Sequence, residues 1–119
     1  MRSPTARTLK YLREQGASVR IVEHWNAFAR RRVDLWGADL QVIQGRKLLG
    51  IQNTSGAHHA DHVNKAKANS EVYAWLATGN LFEVWSWAKH GARGKRKLWD
   101  KSPRVTQLFI NDHGRVSEA

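Results

Sequence analysis

The sequence predicts a mixed α/β domain in which a mixed β-sheet is flanked by helices. Residues 38–44 and 47–54 are two short apolar stretches separated by only two residues, which is typical of a β-hairpin. A helical pattern follows over residues 58–77, and residues 81–88 then alternate again between polar and apolar side chains. Strands on both sides of a central helix favour a mixed sheet, and an all-β barrel with added helices is the alternative.

Length and composition set the size and class of the protein. With 119 residues and a mass of 13.6 kDa, we expect a single domain over residues 1–110, followed by a flexible polar tail over residues 111–119. The chain has no cysteine, which excludes disulfides and thiolate metal sites. No apolar run approaches the ~20 residues of a membrane helix and no signal-peptide core follows Met1, so a cytoplasmic protein is expected.

The charge balance is strongly basic. Twenty Lys and Arg residues face ten Asp and Glu residues, which gives a net charge of +10. A small domain of this charge is expected to meet a polyanion, because neutralised phosphates release condensed counterions. Nucleic acid is therefore the first expected partner. A structural role beside nucleic acid and a merely solubilising surface are the alternatives.

The first elements follow from local signals. Ser3 and Pro4 are typical of a helix start, and the helix is expected to end near residue 15, before Gly16. Residues 17–24 alternate and predict a strand. Residues 26–33 predict a loop or bent strand, whose arginines either clamp phosphates or form a solvated charge run.

The hairpin fixes a register. Glycine in the first position of the loop, Gly45, favours a type II′ turn. Continuing the pairing of Gln44 with Lys47 places Asp39 directly opposite Gln52, about 5 Å away on the same sheet face. Alternation adds further residues to that face. A carboxylate, amides and a hydroxyl are thus expected to meet there, from Asp39, Gln41, Gln52 and Thr54, with Gly50 between them.

This pattern resembles the PD-(D/E)xK nuclease superfamily. The stretch RVDLWGADL, followed by QNTS, is similar to resolvase-like nucleases of phages and prophages, in a Gln-x-Thr form of the motif. The resemblance implies a restriction-endonuclease-like αβββαβ core and a divalent metal, Mg²⁺ or Mn²⁺. It makes Asp39 and Gln52 the metal ligands, with the carbonyl of Asn53, and puts Thr54 in the position of the motif lysine.

The missing motif lysine and the ligand set leave alternatives. In the resembled superfamily a lysine from the following helix sometimes replaces the strand lysine, and Lys65 and Lys67 are the two candidates here. Glu23 is either an auxiliary metal ligand or a partner in a rim salt bridge. Asp34 competes with Asp39 as the main metal carboxylate, although local arginines would hold an aspartate in the same way.

A histidine cluster opens the central helix. His58 and His62 are spaced to share one helix face, which with Asn64 allows a histidine-metal nuclease of the ββα type. The preferred interpretation places His58 and His59 along a phosphate backbone at the positive end of the helix. Ser70 is expected to cap a second short helix over residues 71–77.

The last third of the chain predicts a strand over residues 81–88, paired with residues 97–99, and a final strand over residues 102–109. A basic loop lies between the first two. Trp85, Trp87 and Trp99 either form a stacking platform for unpaired bases or belong to the core and sheet cover. The residues expected to contact DNA are Arg30, Arg31, Arg32, His58, His59, Lys89, Arg93, Lys95, Arg96 and Lys97.

Three functions fit these observations. The first is a metal-dependent endonuclease that acts on duplex or branched DNA in a bacterial or phage-infected cell. The second is a DNA-binding protein that keeps the nuclease scaffold without turnover, and the third is an assembly protein that neutralises charge. A homodimer is expected only if the enzyme cuts junctions symmetrically, because such cutting needs two active sites.

Overall fold

The computed structural model describes residues 3–22, 36–91 and 96–119, and the backbone of residues 24–26 and 31–33. Three helices are present in this part of the chain: α1 (Pro4–Glu14), α2 (His59–Ala68) and α3 (Ser70–Ala77). A single 3₁₀ turn, Gly56–His58, leads into α2. The strands are β1 (Val19–Ile21), β2 (His24–Asn26), β3 (Arg31–Val33), β4 (Leu40–Gln44), β5 (Lys47–Ser55), β6 (Leu81–Trp87), β7 (Lys89–His90), β8 (Leu98–Trp99), β9 (Arg104–Ile110) and β10 (Val116–Glu118).

Six strands form one mixed sheet in the order β1-β4-β5-β6-β9-β10. Strands β5 and β6 are parallel, and the other neighbours are antiparallel. Parallel neighbours need a crossover connection, which is supplied here by the 3₁₀ turn, α2 and α3. The expected mixed sheet with flanking helices is confirmed. Two smaller antiparallel ladders, β2 with β3 and β7 with β8, stand beside it.

Helix α1 covers one face of the sheet. Ser3 caps it, because its Oγ accepts a hydrogen bond from the Ala6 N–H at 3.1 Å. Leu12 packs there with a cluster from β4, β5 and β6 that includes Leu40, Ile51 and Trp85. The buried Thr8 accepts a hydrogen bond from the Trp87 Nε1–H at 2.9 Å, which ties the helix to β6.

Helices α2 and α3 cover the opposite face. Val63, Val72 and Trp75 pack there against Phe82 and Val84 of β6. Asn69 caps α3, since its side chain accepts a hydrogen bond from the Glu71 N–H at 2.9 Å. The expected cap at Ser70 is therefore wrong by one residue. No helix in the described residues is long and apolar enough to cross a membrane.

Two expected strand assignments need correction. The strand expected over residues 17–24 is confined to β1, and β2 begins a separate ladder with β3. Residues 98–99 pair with β7 and not with β6. The reason is that β6 already has two neighbours, β5 and β9, along almost its whole length.

The end of the chain, expected to be a flexible tail, forms β10 on the edge of the sheet. Asn111 makes this return possible, because its Oδ1 accepts hydrogen bonds from the N–H groups of His113 and Arg115. Gly114 supplies the left-handed backbone conformation of the turn, with φ 73°. Val116 then packs against the cluster under α2 and α3.

Candidate active site

The β4–β5 hairpin has the predicted register. Pairing runs from Gln44 with Lys47 to Leu40 with Ile51. Gly45 has φ 63°, whereas Arg46 does not have a positive φ, as a type II′ turn requires.

The regular pairing stops at Asp39. The Asp39 N–H donates to the carbonyl of Ile51 at 2.9 Å, although Ile51 is already the partner of Leu40. Asp39 and its neighbour Leu40 of β4 thus both face Ile51 of β5, and two residues opposite one define a β-bulge. Side-chain alternation is broken at the same point, because Ala38 packs under α2 and α3 while Leu40 packs under α1. The bulge moves Asp39 away from the position directly opposite Gln52 that continued pairing predicts.

The carboxylate of Asp39 is buried and bound to Asn53. Asp39 is only 4% exposed, and its Oδ2 accepts hydrogen bonds from the backbone N–H of Asn53 at 2.8 Å and from its Nδ2 at 3.3 Å. The Oδ1 atom of Asn53 is also buried and has no hydrogen-bond partner among the described residues. A buried amide oxygen left without a donor is costly.

A cavity of about 400 Å³ opens on the α2 side of the same strand. Strand β5 contributes Gln52, and α2 contributes His62 and Lys65, which lie three residues apart on one helix face. Lys67 lies about 200° further around the helix and is not part of this lining. The cavity is lined by Gly37, Gln52, His62, Lys65, Ala66, Asn69, Glu71 and Val72.

The oxygen atoms at this site suit a hard cation only in part. Asp39 contributes a carboxylate and Gln52 a neutral amide oxygen, while Asn53 can add its backbone carbonyl, because its side chain projects to the other face of β5. Mg²⁺ is commonly held by one or two carboxylates, with waters and substrate phosphates completing its coordination. Within the described residues, no group of three His, Cys, Asp or Glu side chains is placed to hold a metal. The donor set therefore fits a cation that depends on a phosphate for further ligands.

Several predicted site residues lie elsewhere. Glu23 and Asp34 fall outside the described residues. Thr54 is buried, and its neighbour on β6 is Ser86. His58 is exposed and belongs to the 3₁₀ turn, with its Nδ1 3.9 Å from the Asp61 carboxylate. The histidine-metal alternative loses its basis, because His58 precedes the helix that would align it with His62.

His59 is buried, whereas a DNA-binding residue was expected to lie on the surface. It is 1% exposed, with Nδ1 2.6 Å from Ser86 Oγ and Nε2 2.7 Å from Thr106 Oγ1. Burial lowers the pKa of His59 below 6.5, and the nearby positive charge of Arg104 lowers it further. The residue thus joins α2 to β6 and β9 inside the protein, and its expected role at a phosphate backbone is wrong.

The described basic residues of the last third of the chain are on the surface. Lys89, Arg96, Lys97 and Arg104 are exposed. Arg31 and Arg32 belong to β3, whose backbone alone is described, and Arg30, Arg93 and Lys95 fall outside the described residues. The exposed cations remain available for the predicted contacts with an anionic polymer.

Of the two interpretations of the tryptophans, the structure supports core packing for Trp85 and Trp87. Trp85 and Trp87 are 7% and 4% exposed, and the guanidinium of Arg7 lies 3.7 Å from the ring centre of Trp99. Sequence reasoning missed Trp36, which is 48% exposed and directly precedes the cavity residue Gly37. Its signal was the Trp-Gly pair before the hairpin, because glycine at that position marks a turn.

No protein-family model, curated protein or solved structure matches this chain. Arguments for a function therefore depend on the chemistry of the site itself.

Proposed function

We propose that the protein is a divalent-metal-dependent endonuclease that hydrolyses phosphodiester bonds in DNA. The observation that carries the proposal is the bulge at Asp39. It holds a buried carboxylate against Asn53, one residue along β5 from Gln52, and Gln52 shares its cavity with Lys65. Metal-assisted phosphate hydrolysis uses groups of these kinds, oxygen ligands for the cation and a positive charge for the phosphate.

The chain order of the sheet supports a restriction-endonuclease-like core. Helix α1 precedes three antiparallel neighbours, β1, β4 and β5, and α2 then leads to β6, which is parallel to β5. This chain order is compatible with the αβββαβ core of the superfamily that the Asp39 and Gln52 motif resembles. The β2–β3 ladder is an insertion within it.

Each residue has a role that follows from its place. Asp39, Gln52 and the backbone carbonyl oxygen of Asn53 would hold Mg²⁺ or Mn²⁺. When bound, such a cation polarises the scissile phosphate and lowers the pKa of the attacking water. Lys65 places its positive charge over the cavity and offsets the charge that develops on the phosphate. Asn53 orients the Asp39 carboxylate through its two hydrogen bonds.

Substrate binding would depend on distributed charge. The net charge of +10 and the exposed Lys89, Arg96 and Lys97 supply it. Such contacts hold the phosphate backbone without selecting a base sequence. Duplex and branched DNA are therefore the proposed substrates, in a bacterial or phage-infected cell, and a homodimer belongs to the proposal only for symmetric junction cutting.

Cleavage assays test the proposal directly. Supercoiled, single-stranded and four-way-junction DNA would each be incubated with Mg²⁺, with Mn²⁺ and with a chelator. We expect metal-dependent products from the wild type and none from Asp39→Asn at equal protein concentration. Cleavage by Asp39→Asn at the wild-type rate would move the active site elsewhere.

A DNA-binding protein without turnover is the second candidate. It is favoured by the donor set, since Asp39 is the one carboxylate among the motif residues, with Gln52 and Thr54 in motif positions that are commonly charged. A neutral oxygen attracts a hard dication less strongly than a carboxylate does. Tight, salt-sensitive DNA binding with no cleavage under either metal would establish this candidate.

A further inference from the structure

We propose that Trp36 is a stacking platform for an unpaired nucleobase of DNA beside the Gln52–Lys65 cavity. The inference rests on the proposed function for its ligand, DNA, and adds the kind of DNA that the site selects. Two observations support the inference: the backbone conformation of Trp36 and the exposure of its side chain. Neither is explained by the roles proposed for Asp39, Gln52 and Lys65.

The backbone at Trp36 is unfavourable for its side chain. Trp36 has φ 55° and Gly37 has φ 81°. Two successive positive φ angles are typical of a type I′ turn, for which Asn-Gly is the preferred pair. A bulky residue at positive φ is an outlier that costs free energy. An asparagine would suit this backbone better, so the indole is present at a cost in stability.

The turn is held in place by α3. A Cβ atom on Gly37 would lie 2.7 Å from Val72 Cγ2 and 3.3 Å from Asn69 Nδ2, so the backbone of Gly37 presses against the start of that helix. Gly37 also lines the cavity with Gln52 and Lys65. The Cα atom of Trp36 is therefore about 3.8 Å from that of a residue in the cavity wall.

Trp36 differs from the other tryptophans whose side chains are described. Trp75, Trp85 and Trp87 are at most 8% exposed and donate their Nε1–H groups to Leu81, Glu83 and Thr8. Trp99 is covered by Arg7. Trp36 is 48% exposed, so core packing does not account for an indole in a strained turn.

The cavity beside Trp36 suits a nucleotide that is not paired. Every base has a face that stacks on an aromatic ring, whereas a base inside a duplex already stacks on its neighbours. Asn69 offers its Nδ2 group to a base edge, and Lys65 offers its charge to the adjoining phosphate. The occupant is thus an unpaired base in a bulge, gap or junction, and not a continuous duplex.

The test uses a duplex with one bulged 2-aminopurine, whose fluorescence falls when the base stacks, and the same duplex fully paired. Both are titrated with wild type, Trp36→Asn and Trp36→Phe in the presence of a chelator, so that cleavage plays no part. We expect the wild type to quench the bulged probe and to bind it about tenfold more tightly than Trp36→Asn does. Trp36→Phe should lie between them, and paired-duplex affinity should stay equal.

Stability gives an independent readout. Trp36→Asn should raise the melting temperature, because it relieves the strained turn. Equal binding of the bulged probe by wild type and Trp36→Asn would overturn the inference, as would equal losses for both duplexes or a lower melting temperature. If the wild type binds neither duplex, the proposed function fails as well. Cleavage of DNA together with unchanged quenching by Trp36→Asn would overturn the stacking inference alone.

Discussion

One carboxylate oxygen of Asp39 accepts two hydrogen bonds from Asn53. They come from the backbone N–H at 2.8 Å and from Nδ2 at 3.3 Å, and both lie in the interior. The start of β4 is thereby fixed to β5 through the motif residue that carries a negative charge. Asp39 consequently has two roles, one in the fold and one in the proposed chemistry. Different substitutions of Asp39 affect the two roles differently.

Asp39→Asn should remove the chemistry and keep the fold. Its side-chain oxygen can still accept the Asn53 N–H, but the charge that attracts a cation is gone, so metal-dependent cleavage should fall by roughly 100-fold or more. Asp39→Ala should also lower the free energy of unfolding by about 1–3 kcal/mol, because the buried N–H loses its acceptor. Cleavage rates and urea unfolding of both variants check this. If both variants cleave like the wild type, Asp34 and His62 become the next residues to replace.

Gln52→Glu should strengthen metal binding. It adds a second carboxylate near Asp39, in the position where the resembled superfamily commonly has one, and hard dications bind carboxylates better than amides. Calorimetric titration with Mn²⁺ should give a lower dissociation constant than for the wild type. Gln52→Ala is the matched control and should lose less activity than Asp39→Asn. An unchanged dissociation constant in Gln52→Glu would remove Gln52 from the ligand set.

Lys65 and Lys67 should differ although they lie on the same helix. Lys65 lines the cavity with Gln52, while Lys67 lies about 200° further around α2. Lys65→Ala should therefore lower the cleavage rate by about 10- to 100-fold, whereas Lys67→Ala should change it little. Single-turnover rates at saturating protein separate this effect from weaker DNA binding. Equal losses in the two variants would indicate a general charge effect.

The basic loop after β7 should set the salt dependence of DNA binding. Replacing Arg93, Lys95 and Arg96 with glutamine should weaken binding and reduce the slope of log affinity against log salt by about 0.9 for each lost phosphate contact. Affinities measured from low to high salt give the slope.

The control for this loop changes the net charge by the same amount at another place. Lys10, Arg13 and Arg20 are exposed residues on α1 and β1. Replacing these three with glutamine should leave the slope near the wild-type value. Equal slopes for the two triple variants would show that the net charge, and not the loop, governs binding.

Acid should destabilise the protein through His59. Since burial lowers its pKa in the folded state, the unfolded chain takes up the proton first as the pH falls below about 6.5. The stabilising contribution is present above pH 6.5 and is lost as the pH falls toward the folded-state pKa. Urea unfolding at pH 7.5, 6.5 and 5.5 should show this decline. His59→Gln should flatten it, while replacement of the exposed His58 should not.

Local signals were sufficient for much of the fold. The Ser3 cap, the Gly45 turn with its register and strand β6 each depend on a few neighbouring residues, and all three were predicted from the sequence. The pairing of β8 and the strand β10 depend on which neighbours compete for a sheet edge. That competition leaves no periodic pattern in the sequence, so both were missed.

The site was predictable in its residue types and less so in their placement. Asp39 follows the hairpin pattern, yet the bulge breaks alternation at this residue, and a bulge has no reliable sequence signature unless glycine marks it. The sequence did not show that His59 and Trp85 are buried, because the alternation of side chains does not tell which face of the sheet a helix covers. Only the position of α2 distinguished Lys65 from Lys67.

The ends of the six-stranded sheet affect aggregation. Its edge strands, β1 and β10, have three residues each, whereas the interior β5 has nine. Short edges offer few unpaired backbone groups to another molecule. β10 pairs with residues 108–110 of β9, so without it the open edge would extend over all seven residues of β9, including the exposed Phe109. Three residues at the end of the chain thus shorten the edge at which another molecule could pair.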